Sequence, residues 1–329
     1  MKIISEQLIR SLDILPSTCV KWVYDSFSMK KDAQLPVKNS VHPDDGEFFT
    51  SMPCLLPPPI RTNVKGVNNQ FKRQYFGVKV VHRLLKAVPS LGSDLMLYDS
   101  EKGELLALVD ADWITTMRTG AVAAISSKVL RKKDAKTYGF IGLGNTARAT
   151  LLCILEQEPN RHFNVQLARY KNQAEKFIER FAAYPNVSFD IVDSVVEMAH
   201  GVDVFISCIT NAQELLVPDE KVFQSGVTVI PVHMRGLQNC DVTFDRVFGD
   251  DTAHVQGFKT FHQWKDFNEI GEVLAGRDPG RCSDEQRIID YNYGLGLHDV
   301  VFAAKIYELL EDIKIPEVLI VKEKEKFWV

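Results

Sequence analysis

One apolar run that ends in two closely spaced glycines constrains the fold more than any other part of the chain. Between Lys136 and Thr150 the sequence reads KTYGFIGLGNTARAT. That is a strand, a tight turn and the opening of a helix. Gly142 permits the sharp turn, Gly144 leaves room for a phosphate to approach the backbone, and Ala147 still lets helix and strand pack closely where a third glycine often stands. Asn145 and Thr146 open the helix, whose free N–H groups and partial positive charge suit a pyrophosphate. A second strand, 163–168, ends in Arg169, Tyr170 and Lys171, and no carboxylate follows until Glu175. A carboxylate at that strand end would accept from a ribose 2′-hydroxyl, whereas a guanidinium pairs with a 2′-phosphate. Arg169 and Lys171 therefore point to NADP, with NAD as the alternative; two ordinary surface cations would read the same way.

From residue 136 to 251 strand-like and helix-like segments alternate, including a strongly apolar strand at 202–209. Such alternation implies an α/β fold, a Rossmann-type doubly wound parallel sheet with cofactor at the carboxyl ends of its strands. Cys208 and Thr210 end one of these strands and are placed beside the dinucleotide. The first part of the chain reads differently. Helices are expected at 6–12 and 19–29, strands at 48–52, 75–82 and 95–98, a proline-rich loop at 53–59, and a strand at 104–109 that closes a hairpin. A long helix begins near Thr115, and an apolar helical run follows Asp299. The expected architecture is thus a discontinuous α+β substrate and dimerisation domain, residues 1–119 with 299–329, into which a dinucleotide-binding domain, residues 120–298, is inserted. Glu269 and Glu272 read as a solvated helix face, and 276–280 as a surface turn.

Composition bounds the function. The chain has 329 residues, 45% hydrophobic and 25% charged, with a net charge of −4 and no long basic run, which argues against nucleic acid as a partner. No apolar stretch approaches the roughly 20 residues of a membrane span. The N-terminus lacks the apolar core of a signal peptide. Six cysteines lie far apart without a Cys-x-x-Cys pair, so zinc is not expected, and reduced thiols in a cytoplasmic protein are.

Several strings together resemble the ornithine cyclodeaminase/mu-crystallin family. These are FGVKV from Phe76, the stretch from Asp110 to Ala124 that contains MRTGA, the glycine loop, EIGEVLAG from Glu269, and GLGLHD from Gly294 to Asp299. The resemblance runs in the family's order over nearly the whole chain. It implies hydride transfer at a carbon bonded to nitrogen and next to a carboxylate, with a nicotinamide cofactor, an amino acid, 2-oxo acid or imine substrate, and a homodimer. Arg118 is similar to the family arginine that grips the carboxylate, which a guanidinium fork suits; an interdomain salt bridge is the alternative. Lys79, inside an apolar strand, matches the family's strand lysine and could bind carboxylate or move a proton. Lys38 falls where relatives carry a cation for the same carboxylate. Asp299 matches an aspartate beside the nicotinamide, although a helix cap would also explain it. Gly294 and Gly296 are expected to allow close approach of the cofactor, with Asn292 and Tyr293 on the same wall.

One position departs from the pattern. Cyclodeaminases carry an essential aspartate just after the strand that corresponds to 227–232, and Arg235 stands in its place. An arginine stays protonated and cannot act as that base. Arg235 instead suits a second carboxylate, and His233 beside it is a candidate proton donor. The expectation is an NAD(P)-dependent imine reductase or amino acid or opine-type dehydrogenase. The alternatives are an ornithine cyclodeaminase with a relocated base, and a non-catalytic NADP-binding protein of mu-crystallin type.

Overall fold

The computed structural model describes residues 1–59, 71–210, 212–233 and 235–320; the end of the expected first domain, 321–329, and Met234 lie outside them. The first part of the chain folds as β1 (Lys2–Ile4), α1 (Glu6–Arg10), α2 (Pro16–Met29), β2 (Asn39–Val41), β3 (Phe48–Leu55), β4 (Tyr75–Arg83), β5 (Leu91–Asp99) and β6 (Glu104–Asp110). Its six strands lie in the order β1-β6-β5-β4-β3-β2. All neighbours are antiparallel except β1, which runs parallel to β6. β3 continues through Pro53 to Leu55 rather than stopping at Met52, because the ladder to β4 persists through that pairing.

The helix α3 (Asp112–Leu130) then carries the chain across, starting three residues earlier than Thr115 and running unbroken past residue 119. Next come β7 (Thr137–Ile141), α4 (Asn145–Gln157), β8 (Phe163–Ala168), α5 (Gln173–Arg180), β9 (Val187–Val192), α6 (Val195–Gly201), β10 (Val204–Ser207) and β11 (Thr228–Pro231). The chain continues with β12 (Arg246–Gly249), α7 (Thr252–Val255), β13 (Phe267–Glu269), α8 (Ile270–Leu274), β14 (Ile288–Tyr291) and α9 (Gly296–Leu309). The second sheet has eight strands in the order β13-β12-β14-β11-β10-β7-β8-β9, all parallel. Strand order reverses between β7 and β10, and such a reversal opens a crevice at the strands' carboxyl ends. This is the doubly wound sheet expected from the alternation.

The last helix returns to the first sheet. Gly77 on β4 makes this possible: a Cβ there would lie 2.7 Å from Val300 Cγ2, so α9 rests directly on the strand. Beyond α9, Glu317 bridges Lys2, and the Val318 N–H donates to the Met1 carbonyl at 2.9 Å. The first sheet is therefore built from both ends of the chain. α3 packs just as closely on α4, where a Cβ on Gly120 would meet the Ala149 carbonyl carbon at 2.6 Å. Among the described residues no helix is long and apolar enough to cross a membrane.

Candidate active site

β4 alternates between a buried and a half-buried face, and Lys79 falls on the buried one, where an apolar residue would be ordinary. The lysine, Arg118 from α3 and Asp299 from the first turn of α9 meet where the two sheets join. Lys79 and Asp299 are wholly buried and Arg118 is nearly so. One carboxylate oxygen, Asp299 Oδ1, accepts from Lys79 Nζ at 2.7 Å and from Arg118 Nε at 2.9 Å. Two cations thus share one anion. Burial pulls the Lys79 ammonium down to about 7, helped by Arg118 and opposed by Asp299. Burial alone would raise the Asp299 carboxyl, but Arg118 and Lys79 outweigh it and hold it below the usual range. Asp299 does not cap its helix: α9 begins at Gly296, and the carboxylate is spent on the two cations. Lys79 also donates to Thr115 Oγ1 at 3.2 Å. That hydroxyl lies 2.8 Å from Ser93 Oγ, which in turn donates to Asp112 at 3.0 Å.

The turn before α9 closes the site from the side of the second sheet. Gly294 has φ +85°, and a Cβ there would fall 2.4 Å from Arg118 Nη1. Its missing side chain is therefore replaced by the guanidinium, and that of Gly296 by the Met52–Pro53 backbone at 2.9 Å; both are packed by protein rather than left open for a cofactor. The Gly294 N–H donates to Asp250 Oδ2 at 2.6 Å. Asp290, also wholly buried, accepts from Asn292, which reaches Ser126 as well. Burial raises the Asp250 carboxyl, and burial together with Asp250 pushes Asp290 up to about 7. Lys38 lies over the Tyr293 ring at 3.4 Å and donates to the Tyr293 carbonyl at 2.7 Å, so it is no ordinary surface lysine. Burial lowers its ammonium to about 7, with Arg118 adding to the effect.

At the switch point, Gly142 adopts φ +75°, and a Cβ there would lie 2.5 Å from the Cys208 carbonyl carbon. The loops that follow β7 and β10 therefore touch. Gly144 is exposed, and a Cβ on it would meet no atom within 4 Å. It leads into α4, whose first N–H groups receive no side-chain cap. These features fit a pyrophosphate. Ala147 is wholly buried against the core, while Asn145 and Thr146 begin the helix. Thr210 is exposed, and burial pushes the half-buried Cys208 thiol up to about 12. Arg169 is exposed at the end of β8 and pairs with Asp193 at 2.6 Å and Glu175 at 3.1 Å; Lys171 next to it has φ +50°.

Several sequence expectations need correction. His233 is held with both ring nitrogens engaged, Nε2 2.5 Å from Ser207 Oγ and Nδ1 accepting from the Arg235 N–H at 3.3 Å. Burial takes its pKa down to about 4, so the ring is neutral near pH 7 and has no proton to give as an imidazolium. It anchors the loop that carries the exposed Arg235. Glu269 is no solvated acid: it pairs with Lys30 at 2.6 Å and accepts from the Thr252 N–H and hydroxyl. The supposed surface turn at 276–280 contains Asp278, buried and paired with Arg246 at 2.9 Å. Sequence reasoning missed β14, whose carboxyl end supplies Asp290 and the Gly294 turn. It also missed Thr115, Ser93 and Asp250. The signal for Asp250 was an acid directly after an apolar strand.

Comparison with known proteins shows relatives along most of the chain. An alanine dehydrogenase of Archaeoglobus fulgidus is 28% identical over 244 residues, 68% of this chain and 72% of that one. A ketimine reductase mu-crystallin of Mus musculus is 28% identical over 229 residues, 68% of this chain and 71% of that one. The structure of Thermococcus litoralis Δ1-pyrroline-2-carboxylate reductase, solved with NADH and L-proline, superposes with a TM-score of 0.82 at 22% identity, covering 97% of this chain and 100% of that one, and shows a shared fold. The model of the ornithine cyclodeaminase/mu-crystallin family matches residues 6–314, and the chain belongs to that family.

Proposed function

We propose that the chain is an NADPH-preferring oxidoreductase that reduces an imine next to a carboxylate to the corresponding amino acid. The observation that carries this reading is the buried pair of cations, Lys79 and Arg118, sharing a single carboxylate oxygen beside the crevice of the nucleotide sheet. A binding protein for NADP alone has no use for them. Residues 1–119 with 299–329 serve as the substrate and dimerisation part of a homodimer, and 120–298 as the nucleotide part. The pyrophosphate would lie against Gly142, Gly144 and the start of α4, and a 2′-phosphate would be met by Arg169 and Lys171. The bound nicotinamide supplies a hydride to the imine carbon, so that C=N becomes CH–NH and NADPH is oxidised to NADP+.

Everything else falls to the protein's own side chains. Arg118 presents its guanidinium fork to the α-carboxylate, with Lys38 adjacent, and the low dielectric of the junction strengthens both contacts. An ammonium has three protons; on Lys79 two are directed at Asp299 and Thr115, which leaves the third for the imine nitrogen. With a pKa of about 7 this lysine is suited to give a proton near neutral pH. The hydroxyls of Thr115 and Ser93 offer a path for its return from Asp112. Asp299 positions both cations and spares them mutual repulsion. Ornithine cyclodeamination is disfavoured, since Arg235 can neither accept a proton nor tolerate an amine cation nearby.

The test is consumption of NADPH by the purified protein with 2-oxo acids paired with ammonium or primary amines, alongside ornithine assayed for proline and ammonia. Turnover of an imine-forming pair is expected. Ammonia release from ornithine, or cofactor binding without any turnover, would overturn the reading.

A further inference from the structure

β4 carries Lys79 and Arg83 four residues apart on one face, so their Cα atoms are about 13 Å apart along the strand. Arg83 does not trail into solvent. Its Nε donates to the Gly46 carbonyl at 2.7 Å, its guanidinium carbon lies 5.1 Å over the Phe48 ring, and its Nη1 reaches across the crevice to the Thr210 carbonyl at 2.5 Å. Arg235 stands on the opposite wall, near enough for its charge to act on Arg83. Its loop follows β11 and is pinned through His233 to Ser207, three residues before Thr210 on the same strand end. The guanidinium of Arg83 and the loop that carries Arg235 are thus anchored to one short segment, and neither arginine takes part in an ion pair among the described residues. Burial lowers the pKa of Arg83, and the charge of Arg235 lowers it further. Like charges held together without a counterion cost free energy that a bound anion would offset.

We infer that Arg83 and Arg235 form a subsite for a second anionic group, so that the substrate is an imino acid whose second carboxylate or phosphate lies several bonds from the α-carboxylate. This rests on the reductase reading and specifies the substrate's far end. Arg118 and Lys38 take the α-carboxylate, Lys79 faces the imine nitrogen beside it, and Arg83 and Arg235 take the other terminus. Lys79 and Arg83 act from one sheet while Arg235 acts from the other. The subsite is therefore complete only when the crevice walls are together.

The experiment uses the purified full-length protein with NADPH and imines formed in solution. Ammonium is paired with 2-oxobutyrate, 2-oxoglutarate or 2-oxo-4-phosphonobutyrate, and pyruvate with propylamine or β-alanine. At least one dianionic imine should show kcat/KM tenfold or more above its uncharged-tail counterpart. The phosphono arm against the 2-oxoglutarate arm decides whether phosphate or carboxylate is preferred. In R83Q and R235Q the ratio of dianionic to monoanionic kcat/KM should fall at least tenfold, and R235K should retain part of it. Arg235 is exposed, so its variants preserve the fold even if R83Q does not. Equal use of charged and uncharged tails by the native protein overturns the inference and leaves the reductase reading standing. A proportional loss on both substrates in R83Q and R235Q also overturns it, because that is what a purely structural latch would give. Absence of NADPH consumption with every pair removes both proposals together.

Discussion

Replacing Gly294 with alanine tests whether the turn before α9 exists to make room for Arg118. A Cβ at this position lies 2.4 Å from Nη1 and 3.2 Å from Nη2, so the guanidinium must retreat by about 1 Å to reach van der Waals contact. A shift of that size exceeds what the 2.9 Å bond between Arg118 Nε and Asp299 Oδ1 can absorb, and the pair is buried on both sides. Straining a buried ion pair costs up to about 3–5 kcal/mol if it breaks. Holding a non-glycine residue in the left-handed region adds about 1–2 kcal/mol. G294A should therefore lose roughly 2–4 kcal/mol, or a Tm about 3–6 °C lower for a chain of this size. The steric part depends on Arg118 being present. In an R118A background the same substitution should cost only the backbone share, so a double-mutant cycle by thermal or urea unfolding should give a coupling of about 1–3 kcal/mol. An equal cost in both backgrounds would refute the argument, since the glycine would then be required by its backbone conformation alone.

Two further outcomes follow from the site. Lys79 must be protonated to donate, and its pKa is about 7, so reductive kcat/KM should decline as pH rises above 7 while oxidation of the amino acid product rises over the same range. Lys38 titrates near the same value, and the limb therefore belongs to the pair; K38R should sharpen it, and S93A should lower kcat with a larger solvent isotope effect. A profile flat from about pH 6 to 9 would remove Lys79 as the proton donor. At the end of β8, R169D should lower the ratio of kcat/KM for NADPH over NADH at least tenfold. An unchanged ratio would show that the exposed pairing of Arg169 with Asp193 and Glu175 is its whole role.

The nucleotide sheet was legible because it depends on local signals, an apolar run, two glycines and strands that alternate with helices. β14 was not, because Ile288–Tyr291 is four residues long and carries a buried acid, Asp290, next to its last residue, which in sequence reads as a loop. Lys79 could be picked out as a charge inside an apolar strand and Arg118 by its family resemblance, but their shared partner could not. Asp299 is 181 residues from Arg118, and their meeting depends on Gly77 admitting α9 onto β4. His233 failed for the complementary reason. A histidine in a polar loop suggests a titrating group, and only the hydroxyl of Ser207 and the surrounding burial reveal that it stays neutral. Arg83 drew no notice at all, since a cation at a strand end is commonplace until its reach to Thr210 is seen.

The contact at Gly120 sets a dimension of the molecule. Two residues beyond Arg118, the backbone of α3 lies against the backbone of α4 with no side chain between them. One rigid rod thus spans from Arg118, the carboxylate clamp of the proposed function, to the helix whose first turn that proposal sets against the dinucleotide phosphates. The rod works as a ruler, and its shortest rung is a hydrogen atom. Any bulk inserted there would push α3 and α4 apart, and with them the two halves of the proposed site.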